Sequence, residues 1–117
     1  MKTFLEQSGY KMWEEKTDYL GDKKFVSRKY QKRVDTLPGW QGVPLCSCND
    51  KLFLNIEESQ IAGFPESYSI GMVHENRYGE WCDFKIYSLT EGQIKEFLGK
   101  YENNIKKLWE VFSGSFK

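Results

Sequence analysis

Between Ser67 and Phe112 the chain reads as two matched strands feeding a capped helix, and no other stretch constrains the fold as tightly. Tyr68–Asn76 and Glu80–Ser88 alternate around the loop Arg77-Tyr78-Gly79, whose final glycine suits a backbone with positive φ. That closure sets Ile70 opposite Ile86, Met72 opposite Phe84 and His74 opposite Cys82 on one face. Val73 with Asp83 and Glu75 with Trp81 fall on the other. Thr90 then supplies an N-cap, with Gln93 as its capping-box partner and Glu91 at the positive end of the dipole. Ile94, Phe97, Leu98, Tyr101, Ile105, Leu108, Trp109 and Phe112 follow helical spacing, so a long helix is expected over 90–113. Glu96/Lys100 and Glu102/Lys106 are favourable pairs on its far side.

Two further hairpins are expected upstream. The first spans 10–34 around Gly21-Asp22, which puts Glu15 opposite Arg28, Glu14 opposite Lys29 and Trp13 opposite Tyr30. A helical reading of the second arm remains open, because Val26, Tyr30 and Val34 also recur every four residues. The second hairpin spans 43–57 around Asn49-Asp50, setting Leu45 against Leu54, Val43 against Ile56 and Ser47 against Leu52. Pro44 cannot donate to a ladder, which places that strand at a sheet edge. The chain, 117 residues long, is expected to form a single domain. Its fold class is α+β: an antiparallel, mostly meander sheet of about six strands with one long C-terminal amphipathic helix packed on one face.

Charge is balanced, with 17 basic and 17 acidic residues, so no global field draws nucleic acid or a membrane surface. The balance is uneven locally. Residues 23–33 carry six bases and no acid, mixed with Phe25 and Tyr30. Lys23, Lys24, Lys32 and Arg33 are the cations of this run that the first hairpin leaves unmatched, and they are the candidates for phosphate contact. No apolar run is long enough to span a bilayer, and residues 1–6 lack the apolar core of an export signal. Three cysteines cannot all pair, which points to reduced thiols and a cytoplasmic setting.

Chemistry is sparsely provided for. A His74–Cys82 nucleophile pair lacks an orienting third group and oxyanion donors, and its register points it at the core. Cys46, Cys48, Cys82 and His74 could ligate zinc, but Cys-Ser-Cys is tighter than structural sites use. No phosphate loop, dinucleotide fingerprint or hydrolase motif is present, so neither enzyme nor cofactor is expected. A small apolar ligand between sheet and helix would have little room in so short a chain. The remaining signal is surplus aromatics. Trp40 sits in the Pro/Gly-rich loop 35–42, and Trp81, Asp83, Lys85 and Tyr87 share the presumed outer face of the last strand. These five residues are the expected contacts of a protein-binding module, an inhibitor, immunity-type or accessory protein whose partner is another protein. Nucleic-acid binding through 23–33 is the alternative.

Overall fold

A computed structural model describes residues 1–35 and 51–102, except the side chains of Trp81, Asp83 and Phe84. Within these residues the protein is mostly β, a curled antiparallel meander shaped like a half-barrel. A short helix α1 (Lys2–Gln7) leads into β1 (Lys11–Leu20), β2 (Lys23–Arg33), β3 (Lys51–Ile61), β4 (Ser67–Asn76) and β5 (Gly79–Leu89), and α2 (Glu91–Tyr101) follows. The five strands lie in sequence order.

Period-two alternation in β3 places the core. Leu52, Leu54, Ile56 and Glu58 are buried, while Phe53, Asn55, Glu57 and Ser59 between them are half-buried. The same inner face carries Tyr30 of β2, Tyr68, Ile70 and Met72 of β4, and Ile86 of β5. Helix α2 lays Ile94 and Leu98 on it, and α1 adds Leu5. Full burial of each of these aliphatic side chains contributes about 1.5–3 kcal/mol.

Helix α2 begins as its sequence directs. Gln93 N donates to Thr90 Oγ1 at 3.2 Å, and Thr90 N donates back to Gln93 Oε1 at 2.8 Å. Two terminal donors are thus satisfied reciprocally. Phe97 and Tyr101 pack beside the core with ring centroids 5.0 Å apart. The helix has eleven residues and is short rather than long; the expected positions 103–113 lie outside the described residues.

The first hairpin keeps its expected charge register over most of its length. Glu15 pairs with Arg28 and Glu14 with Lys29, and Gly21 turns with φ +70°. Strands, not a helix, fill residues 23–33. At the base of β1 the register slips: Tyr30 pairs with Met12, and Trp13 is an extra residue between Met12 and Glu14. The second hairpin is not formed as expected at β3. Leu54 pairs with Lys32 on one side and Met72 on the other, and Ile56 pairs with Tyr30 and Ile70. Both ladder edges of β3 are therefore occupied by β2 and β4, and the expected arm 43–48 lies outside the described residues. The third hairpin holds Ile70 to Ile86 and Met72 to Phe84, but its turn is only Arg77-Tyr78, closed by an Asn76–Gly79 pair.

Charged groups also cross the inner face. Lys32 Nζ donates to the Ser8 carbonyl at 2.8 Å and pairs with the Glu102 carboxylate, joining the ends of α1 and α2 to β2. Arg28 donates to Glu15 at 2.7 Å and to buried Glu58 at 2.9 Å. Lys32→Met should lower stability by about 2 kcal/mol in urea unfolding, because it strands the nearly buried Glu102. Among the described residues, Ser88 is the non-glycine residue with positive φ, at 59°, and sits in a bulge opposite the Tyr68–Ile70 segment. Ser88→Gly should therefore raise stability by about 0.5–1 kcal/mol, read as a rise in Tm of a few degrees, whereas Ser88→Val should lower it.

Candidate functional site

The opposite face of the sheet gathers the charged and aromatic residues that the core does not take. Its rows follow from the register: Lys29–Glu57–Ser69, Gln31–Asn55–Gly71–Lys85 and Arg33–Phe53–Val73–Cys82 run across successive strands. Ion pairs link much of this face. Lys16 lies 3.3 Å from Glu14, Glu14 lies 2.9 Å from Lys29, and Lys85 lies 3.0 Å from Glu57. The Lys29 ammonium beside it is the main reason the Glu14 carboxyl sits below its ordinary range, and the same contact raises the Lys29 ammonium. Lys85 Nζ also stands 5.0 Å from the Tyr87 ring, whose side chain is 67% exposed.

Two β-bulges decide which side chains reach this face. A bulge inserts one residue, so alternation reverses beyond it. In β1 the inserted residue is Trp13. Instead of entering the core opposite Tyr30, as its position suggested, the indole is 54% exposed on the outer face. It lies 5.5 Å from Lys29 Nζ, above a groove of about 400 Å³ lined by Lys11, Gln31, Arg33 and Phe53. In β5 the inserted residue is Asp83. Cys82 consequently pairs with Val73, and His74 pairs with Trp81.

That second bulge corrects the expected His74–Cys82 pair. His74 is buried on the inner face, whereas Cys82 is exposed on the outer one, where it borders a small hollow of about 150 Å³ with Asn55, Glu57, Gly71, Val73 and Lys85. The two side chains project to opposite sides of the sheet, which removes the geometry a nucleophile and its base require. Among the described residues no cluster of His, Cys, Asp or Glu could hold a metal; Cys46 and Cys48 lie outside them.

Of the expected partner contacts, Lys85 and Tyr87 share the outer face, as anticipated from their spacing. Trp81 and Asp83 occupy β5, with Trp81 in register with His74 rather than Glu75. Trp40 lies outside the described residues. The basic run is divided. Lys23 stands 4.8 Å from the Phe64 ring and Lys24 is exposed, both at the Gly21-Asp22 end of the hairpin. Lys32 is held on the inner side, and Arg33 donates to both oxygens of Asp35 at 2.8 and 2.9 Å. Trp13 and Phe53 are site residues that sequence reasoning did not select. The one available signal was the adjacency of Met12 and Trp13, which breaks the strand's alternation.

Comparison with known protein families, curated proteins and solved structures finds no match. Among the described residues no helix is long and apolar enough to cross a membrane.

Asp35 pairs with Arg33, one of the residues lining the groove, and its ionisation is a measurable handle. Burial pushes its carboxyl up, but hydrogen bonds from Arg33 and from Leu52 N–H at 3.3 Å outweigh burial and hold it below the ordinary range. A carboxylate depressed in the folded state stabilises the fold above its unfolded pKa and loses that contribution as pH falls through the folded value. Stability should therefore decline below about pH 4, and Asp35→Asn should flatten that part of the profile in urea titrations at successive pH values.

Proposed function

We propose that this chain is a non-enzymatic protein-binding module, of the small inhibitor, immunity-type or accessory kind, that docks through the outer face of its sheet. The observation carrying this reading is the outward turn of Trp13 at the β1 bulge, on the face where Tyr87 also stands exposed. Trp and Tyr bury large rigid surfaces with few rotamers, which makes them strong anchors at interfaces.

The charges between them favour the same reading. Lys16, Glu14, Lys29, Glu57 and Lys85 are already matched within the face. Lys16 and Lys29 share Glu14, so a partner covering the set meets one excess positive charge instead of five separate charges, and the usual penalty for desolvating a charged surface is reduced. Five strands at about 4.8 Å spacing and ten residues long give a face of roughly 24 by 33 Å, near the 800 Å² that each side of a stable interface contributes. We place this work in the cytoplasm, because three cysteines cannot all be paired in an oxidising compartment.

Nucleic-acid binding through residues 23–33 draws less support. Arg28, Lys29, Lys32 and Arg33 each have an acidic partner, leaving Lys23 and Lys24 at one end of the strand. Phosphate affinity scales with the number of phosphates that Lys and Arg neutralise, so two available cations give only weak, salt-sensitive contact.

Affinity purification of the tagged chain from its own host should recover one stoichiometric protein partner, and the purified pair should sediment as a defined complex. Trp13→Ala and Tyr87→Ala should each weaken that complex at least tenfold while leaving Tm within about 3 °C, since both rings are more than half exposed. A complex that survives both substitutions would place the interface elsewhere. Retention of generic RNA or DNA at low salt, with no protein partner, would favour the nucleic-acid reading instead.

A further inference from the structure

The groove beneath Trp13 has an aromatic body and an excess of positive charge. Trp13 and Phe53 contribute its rings, Gln31 its amide, and Lys11, Lys32 and Arg33 its cations, of which Lys32 is paired with Glu102; no acidic side chain among the described residues lines it. Arg33 is answered by both oxygens of Asp35, and Lys29 above the indole by Glu14. Lys11 is exposed and forms no ion pair among the described residues. Among the described residues the groove therefore offers one unmatched ammonium beside an apolar floor.

From this arrangement we infer that the Trp13 groove receives an acidic segment of the protein partner, one that sets a carboxylate on Lys11 and an adjacent apolar side chain against Trp13 and Phe53. The inference rests on the protein-binding reading and names the chemistry of what is bound. A volume of about 400 Å³ accommodates a few side chains, in the range of compact binding sites. Charge complementarity selects the sign: a cationic segment would meet Lys11, Arg33 and Lys29 together, whereas a carboxylate meets Lys11, which has no ion pair among the described residues. Phosphodiester chains fit less well, because a single unmatched cation releases too few counterions for appreciable affinity. The bulge itself supports the assignment. An uninterrupted pleat would carry Trp13 to the inner face, and inserting one residue turns it into the groove at the cost of ladder hydrogen bonds.

The test uses three capped, extended hexapeptides that carry glutamate, glutamine or lysine between a leucine and a phenylalanine. Each is titrated into the isotope-labelled full chain while backbone amide shifts are followed by NMR. The glutamate peptide should move the amides of residues 11–14, 31–33 and 53, and bind about threefold to fivefold more tightly than its glutamine counterpart at low salt. Lys11→Glu should reverse the order in favour of the lysine peptide; this exposed substitution leaves the fold intact, as an otherwise unchanged spectrum will verify. Trp13→Ala should weaken all three peptides together. Equal affinity for the glutamate and glutamine peptides, or shifts confined to other parts of the sheet, would overturn the acidic assignment even if the Trp13-dependent complex with the host partner stands. Stronger, steeply salt-dependent shifts of the same amides with a short single-stranded DNA would also overturn it, in favour of a phosphate ligand.

Discussion

Strand β3 is paired along both edges, and every other placement in the sheet is referred to it. Its backbone donors and acceptors are taken by β2 and β4 over nearly its whole length, so neither neighbour can slip without breaking a double ladder. A slip of one residue would also send Leu52, Leu54 and Ile56 to the outer face and bring Phe53, Asn55 and Glu57 inside. Hydrophobic burial and hydrogen bonding therefore specify the same register. The outer strands are less constrained, and it is in their pairings, of β1 with β2 and of β4 with β5, that the ladder is interrupted by bulges.

This division between a fixed centre and adjustable flanks accounts for the character of the outer face. Residues contributed by β3 and β4 are set by alternation alone, and apart from Phe53 and Val73 they are small or polar: Asn55, Glu57, Ser69 and Gly71. The side chains with most to offer a partner, Trp13 and Tyr87, come from β1 and β5. There, insertion of one residue can re-aim a ring without disturbing the core. The ion pairs that tie Lys29 to Glu14 and Lys85 to Glu57 cross between strands, so they also hold the two flanks against the centre.

Much of this was legible from residue order, and the failures have identifiable causes. The charge register at Glu14 and Glu15 was readable because a two-residue turn and complementary charges agree. The capping box at Thr90 was readable because Gln93 stands at the required spacing. Trp13 was misassigned because an inserted residue changes register without changing composition. Asp83 did the same to Cys82, which moved it off the face of His74. The neighbours of β3 were misread for a different reason. Alternation in Leu52–Ile56 shows that one face is buried but not which strand lies alongside, and the nearest segment in sequence was taken for the nearest in space. Helix α1 gave almost no signal: it is six residues long, without a side-chain cap or an acidic first turn.

Strand β1 is ten residues long and, among the described residues, pairs on one side only, with β2. Such an edge is a template on which another chain can add, and long flat edges promote aggregation. Here the same insertion that aims Trp13 outward also interrupts the flat run, and Lys11, Glu14, Glu15, Lys16 and Asp18 spread both signs of charge along what remains. The indole is thus displayed at a place where the backbone beside it is a poor substrate for strand addition. On the proposed reading, a partner would be steered towards side chains and away from the backbone edge, and the chain can show a large aromatic surface without inviting copies of itself to stack in register.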